Sequence, residues 1–267
     1  MKQPLKLMCI LAHPDDESLG TGGILARYAD EGVETHLITA TRGEQGWFGA
    51  AADNPGPQAL GQIREGELHN AANQLNIREV SFLDYIDGEL DQANPPEIID
   101  KIADHIQRVR PQVVVTFDPY GTYGHPDHIA ICQFTTAAIV AASHTDLQSD
   151  HAPHQVSKLY YLTDSQAIFD IYQRAFGELV MTIDGQERRA TAWPQWASTT
   201  HIDTTAYWQQ VWNAIQCHRT QLPGYEGLQK LPEDVHRQLW GQQHFYRVFS
   251  MVNGGRQIES DLFDGLR

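Results

Sequence analysis

Leu5-Lys6-Leu7-Met8-Cys9-Ile10-Leu11-Ala12 runs without a break into His13-Pro14-Asp15-Asp16-Glu17, and then into Ser18-Leu19-Gly20-Thr21-Gly22-Gly23. The first stretch is apolar but for Lys6, has strand length, and ends at a turn carrying Pro14, which reads as a buried strand. Ser18 to Glu31 reads as a helix closed by Gly32. The same strand-then-helix unit recurs downstream. Val33 to Thr41 reads as a second strand, and a loop rich in Gly, Asn and Pro follows from Gly43 to Pro57. Gln58 to Leu75 then has helical spacing. Val80 to Tyr85 reads as a third strand and Pro95 to Arg110 as a helix with proline at its start. Gln112 to Phe117 reads as a fourth strand, Asp127 to Ala142 as a helix and Lys158 to Leu162 as a fifth strand. This alternation predicts an α/β fold with a doubly wound, mostly parallel sheet.

Such sheets bind ligands outside the carboxyl ends of their strands, where the strand order reverses. In the common order 3-2-1-4-5 that point lies between the first and fourth strands. His13 and Asp16 follow the first strand. Gly124-His125-Pro126-Asp127-His128 follows the fourth. The fold is therefore expected to bring two distant motifs face to face.

Two His and one carboxylate form the ligand set of many hydrolytic zinc sites, with a further position open for water. His13, Asp16 and His128 are the candidate ligands. Zinc lowers the pKa of bound water to about 7 and polarises a carbonyl. Iron(II) suits the same donors. Asp15 is left over beside the ligands as a general base. His125 is left over in the second motif, placed to protonate a leaving nitrogen or to stabilise an oxyanion as imidazolium. Asp127 is expected to hold His125 by a hydrogen bond and raise its pKa. Tyr123 is a further donor for the oxyanion. The competing reading makes Asp15 or Asp127 an N-terminal helix cap, but two such motifs, each after a strand, favour a metallohydrolase.

Nineteen Lys and Arg against 34 Asp and Glu give a formal net charge of −15, which argues against nucleic acid or an anionic membrane as partner. Cys9, Cys132 and Cys217 are widely spaced and form no paired framework, as expected in a reducing compartment. The N-terminal apolar run is too short for a signal peptide or a membrane span, and a cytoplasmic location is expected. Gly20-Thr21-Gly22-Gly23 does not fit a dinucleotide-binding Gly-x-Gly-x-x-Gly pattern and reads instead as close helix–sheet packing.

After about residue 165 the pattern loosens. Val180 to Arg189 reads as a hairpin turning at Asp184-Gly185, Thr204 to Arg219 as a helix and Phe245 to Met251 as a strand. Residues 1–162 are read as the catalytic core, and 163–267 as an extension of the same domain that completes the substrate pocket. Trp208 and Trp212 are spaced as a core-facing stripe. Trp193 and Trp196 suit a pocket wall or a subunit interface, so a homo-oligomer remains open.

Ala12-His13-Pro14-Asp15-Asp16-Glu17 and Gly124-His125-Pro126-Asp127-His128 resemble the two signatures of the LmbE-like (PIG-L) family of metal-dependent N-deacetylases. The resemblance extends to Thr41-Arg42-Gly43-Glu44-Gln45-Gly46, to Ile63-Arg64-Glu65-Gly66-Glu67-Leu68, to Leu83-Asp84-Tyr85-Ile86-Asp87-Gly88, and to His218-Arg219-Thr220-Gln221. It covers residues 5 to about 162 well, is weak from 163 to 203 and returns in part afterwards. It implies a Rossmann-like fold and zinc on His13, Asp16 and His128. It implies Asp15 as base, and His125, assisted by Asp127, as acid or electrostatic catalyst, with Tyr123 at an oxyanion-binding position. The reaction implied is removal of an N-acetyl group from a small GlcNAc-type conjugate, releasing acetate and a free amine.

Arg64 and Arg42 are cations expected near the strand ends, suited to sugar hydroxyls or an anionic aglycone, unless surface or cap ion pairs absorb them. Asp87 is expected to order Arg64 or the loop, or to act as a turn residue before Gly88. His218 is expected to reach the site as a substrate contact, unless it simply closes a helix. Alternative activities are an amidase acting on another acyl amine, such as a thiol conjugate or antibiotic intermediate, and a catalytically inactive sugar-binding relative.

Overall fold

The computed structural model describes residues 4–144, 149–183, 185–255 and 257–267. The chain opens with β1 (Lys6–Leu11), α1 (Asp16–Asp30), β2 (Glu34–Thr41), α2 (Pro57–Gln74), β3 (Glu79–Tyr85), α3 (Pro95–Val109) and β4 (Val113–Thr116). A one-turn α4 (Gly121–Gly124), α5 (Pro126–Ala142) and β5 (Lys158–Thr163) complete the parallel core. Then come α6 (Gln166–Phe176), β6 (Val180–Ile183), β7 (Gln186–Arg189), β8 (Thr200–Asp203), α7 (Trp208–Ile215), the one-turn α8 (Glu226–Gln229), α9 (Glu233–Trp240) and β9 (Gln242–Ser250).

One seven-stranded sheet has the order β3-β2-β1-β4-β5-β9-β8. Its first five members are parallel and carry the expected 3-2-1-4-5 order. β9 and β8 extend it antiparallel, so residues beyond 163 add to the same sheet. The expected hairpin forms as β6 and β7; Asp184 of its turn lies outside the described residues.

β1 is buried from Leu7 to Leu11, which explains an apolar run rather than an alternating one: both faces are covered. α3 packs on α5, and α7 packs against α1 and α2. The glycines of α1 serve that packing. A Cβ on Gly20 would lie 2.7 Å from Leu162 of β5, and one on Gly22 would lie 3.1 Å from Val211 of α7.

The helix expected over 204–219 is shorter. It is preceded by a 3-10 turn, Thr205–Tyr207, and stops at Ile215. Beyond that point His218 reaches Glu17 of α1 and Thr220 reaches Glu67 of α2. Trp208 is buried, and Trp212 stacks on Trp240 at 5.4 Å, as the stripe predicted. The tail is pinned by Glu259, which accepts from Lys158 Nζ at 2.7 Å, Tyr160 Oη at 2.8 Å, Thr200 Oγ1 at 2.9 Å and Arg247 Nη1 at 2.8 Å. Among the described residues, no helix is long and apolar enough to cross a membrane.

Candidate active site and metal centre

β1 and β4 are neighbours, so the segments leaving their carboxyl ends meet in one crevice. His13 Nδ1 lies 3.2 Å from His128 Nε2, and the two carboxylate oxygens of Asp16 lie 3.6 Å from the former and 3.4 Å from the latter. Donors bonded tetrahedrally to one metal at about 2.0–2.2 Å stand about 3.3–3.6 Å from one another. The triangle therefore has the dimensions of a coordination sphere.

His13, His125 and Asp127 also lie close enough to hold an ion, but their lone pairs are used elsewhere. Asp127 accepts from Gly88 N at 2.7 Å and Leu90 N at 3.1 Å. His13 Nε2 faces Asp127 Oδ2 at 3.1 Å and Asp87 Oδ1 at 3.0 Å. Two carboxylates at Nε2 assign the proton there and leave the Nδ1 lone pair facing Asp16 and His128, the arrangement by which outer carboxylates orient a ligating His. His13, Asp16 and His128 are thus the better-suited donors.

Burial sets the local electrostatics. It pushes Asp16 up to about 7, with Asp15 and Glu17 adding to the effect against His13. Burial and the charges of His13 and His125 hold His128 well below its usual range. For His13 burial acts downward, and the bonds to Asp127 and Asp87 outweigh it and raise the ring well above its usual range. A divalent cation bound here would favour the deprotonated forms of these groups, since metal ligation requires a neutral imidazole and an ionised carboxylate.

Asp15 lies beside the triangle in the left-handed region, with φ at 116°. Its Oδ2 accepts from Tyr225 Oη at 2.7 Å and Arg64 Nη2 at 3.1 Å. Its backbone N–H donates to Glu17 Oε2 at 2.9 Å. His125 caps α5, its Nδ1 accepting from Asp127 N at 3.2 Å.

Here the expected Asp127–His125 pairing is corrected: the Asp127 carboxylate is turned to His13 and two loop amides, and only its backbone reaches His125. Burial and the charges of His13 and Arg188 outweigh the upward pull of the Asp127 and Asp87 carboxylates and lower His125 to about 4. Tyr123 packs its ring against His128 at 5.2 Å and His125 at 6.0 Å. Asp118 braces this loop, accepting from Thr122 N at 2.9 Å and Trp193 Nε1 at 2.7 Å. Trp193 is thus a loop brace, whereas Trp196 is exposed.

For the candidate substrate contacts the structure favours the ion-pair and packing alternatives. Arg64 is buried and spends its guanidinium on Pro14 O, Gly43 O and Asp15. Arg42 pairs with Glu65 at 2.5 Å and Asp84 at 2.6 Å, over the Phe82 ring. His218 is fully buried against Glu17 Oε1 at 2.8 Å. Asp87 bonds His13 and also Gln45 N at 3.0 Å, so it orders the loop but not Arg64.

Sequence reasoning missed Glu17 and Tyr225. Glu17 stands in the opening motif itself. Tyr225 carries no local signal. It arrives on a strap running from His218, in which Thr220 donates to Glu67 through N at 2.9 Å and Oγ1 at 2.7 Å, and Gln221 Nε2 donates to Gly46 O at 2.8 Å.

Sheet order and crevice together define an α/β protein with a His–Asp cluster suited to a divalent metal. Residues 8–139 match the PIG-L family, described as GlcNAc-PI de-N-acetylase. The chain is 31% identical over 304 residues to the 1D-myo-inositol 2-acetamido-2-deoxy-alpha-D-glucopyranoside deacetylase of Kineococcus radiotolerans, covering all of this chain (100%) and 84% of that one. It belongs to the PIG-L family. In fold it is similar to N,N'-diacetylchitobiose deacetylase from Pyrococcus horikoshii, with a TM-score of 0.68, 20% identity and coverage of 91% of this chain and 83% of the other. The 4-carboxy-2-hydroxymuconate hydratase of Pseudomonas putida is equally similar, with a TM-score of 0.68, 19% identity and coverage of 94% and 99%. The fold thus carries more than one chemistry, and the residues must decide.

Proposed function

We propose that this protein is a zinc-dependent, cytoplasmic N-deacetylase that hydrolyses the acetamide of a small GlcNAc-type conjugate to acetate and a free amine. The observation that carries this reading is the His13–Asp16–His128 triangle, with donor separations of 3.2–3.6 Å and Asp15 beside it. The deacetylase named for the Kineococcus relative supports an N-acetylglucosamine joined to a polyol as substrate class.

A divalent ion on His13, Asp16 and His128 supplies a water activated near neutral pH and a polarised carbonyl. Asp15 removes the proton from the attacking water as a new C–O bond forms at the acetyl carbon. Arg64 and Tyr225 hold one Asp15 oxygen and leave the other for this task. His125, whose Nδ1 is occupied by the Asp127 amide, presents Nε2–H as donor to the carbonyl oxygen, where charge develops. Tyr123 closes the same side. The C–N bond then breaks, and Asp15 returns its proton to the leaving nitrogen.

The test is acetate release from GlcNAc-inositol, GlcNAc-malate, free GlcNAc and chito-oligosaccharides by zinc-loaded protein. Release from one of them, lost in Asp15→Ala, is expected. Absence of release from all four contradicts the reading and moves it to other acyl amines.

A further inference from the structure

Asp15 holds a conformation that ordinary L-residues avoid. Its φ of 116° with ψ of −27° persists only where the surroundings over-determine it. Two contacts do so, one from the first turn of α1 and one from a segment remote in sequence. At the backbone, its N–H is taken by Glu17 Oε2 at 2.9 Å. Glu17 is held in turn by His218 Nε2 at 2.8 Å and by Ser18 Oγ at 2.5 Å, all three buried. At the side chain, Tyr225 Oη reaches Oδ2 at 2.7 Å. His218 and Tyr225 lie on one strap, itself clipped to α2 by Thr220 on Glu67. No hydrogen bond or ion pair joins the side chain of Glu17 or His218 to a donor of the triangle; Glu17 and His218 pair with each other.

Resting on the deacetylase reading, we propose that Glu17 and His218 are positioning residues for Asp15, and that the strap from His218 to Tyr225 holds the base at both its backbone and its carboxylate. Glu17 is a buried anion whose second oxygen is used up by an amide, and His218 fixes which way that oxygen points. Their removal frees Asp15 to relax out of the left-handed region and swings its carboxylate off the reacting water. The binding of metal and substrate is left in place. A residue acting in this way lowers turnover without weakening binding, because a base displaced by about 1 Å costs on the order of 100-fold in rate.

The test takes Glu17→Gln and His218→Gln in the full chain and reads four quantities: kcat, KM, metal bound per chain, and Asp15 φ in a crystal structure. A fall in kcat of about 10- to 100-fold is expected, with KM and metal content unchanged and φ moved to negative values. His218→Gln keeps the Glu17 carboxylate and serves if Glu17→Gln does not fold. An unchanged kcat, or a lowered kcat with Asp15 still at positive φ, overturns the proposal. If the unsubstituted protein releases no acetate from any conjugate, the deacetylase reading fails on its own. The variant crystal structures then decide the backbone restraint: a relaxed Asp15 supports it and an unmoved one overturns it.

Discussion

Tyr225 Oη and Arg64 Nη2 converge on the same carboxylate oxygen of Asp15, at 2.7 and 3.1 Å. One oxygen is thereby anchored, and no hydrogen bond among the described residues takes up the other. Hydrogen bonds to charged groups contribute about 1.5–3 kcal/mol, roughly a 10- to 100-fold change in rate. Tyr225→Phe is therefore expected to lower kcat/KM by about that factor with bound metal unchanged, measured by steady-state kinetics and metal analysis.

Arg64 is an internal strut. Breaking a buried pair by removing one partner costs about 3–5 kcal/mol, because the remaining charge is left uncompensated. Arg64→Met is expected to cost that much in urea unfolding. Arg64→Lys is expected to recover little, since an ammonium cannot reach Pro14 O, Gly43 O and Asp15 in one planar fork.

Much of this was legible in the sequence. The five parallel strands and their order follow from the repeated apolar runs, and both motifs emerge after the strands expected to carry them. The second half was less legible. α6 has Ser165 as an N-cap accepting from Ile168 N and buries only Ile168 and Ile171, a stripe too short to stand out. β8 is four residues long and borders only β9 in the sheet. For Arg64 and His218 the sequence leaves a substrate contact and a structural role equally open, because charge in a motif suits either. Their burial comes from tertiary packing, which no local pattern encodes. Tyr225 is ordered by a strap whose anchors, Glu17, Glu67 and Gly46, are remote in sequence.

Asp127 and Asp87 both hold His13 Nε2, and outer carboxylates of this kind typically influence metal affinity by about 10- to 100-fold. Asp127→Asn is expected to weaken zinc binding by that order, since it removes one carboxylate and disturbs the Gly88 and Leu90 amides. Competition against a chromophoric chelator measures it. Affinity equal to the unsubstituted protein would show that Asp87 suffices.

Glu259 gives the fold an acid limit. Burial acts to raise its pKa, but Lys158, Asn253, Tyr160 and Arg247 outweigh it and hold it at about 2 against an ordinary 4.5. A carboxylate depressed in the folded state stabilises above its unfolded pKa, and that contribution is lost as pH falls through the folded one. The difference in urea stability between the unsubstituted protein and Glu259→Gln should therefore be full at pH 7 and shrink from about 4.5 down to about 2. A constant difference across that window would remove the ionic contribution.

The most direct test of the central claim pairs zinc content with acetate release from GlcNAc-inositol, for the unsubstituted protein and for Asp15→Asn. One zinc per chain in both, with acetate released only by the unsubstituted protein, is the predicted result. Equal release by both, or one firmly bound zinc with no release by either, would contradict it.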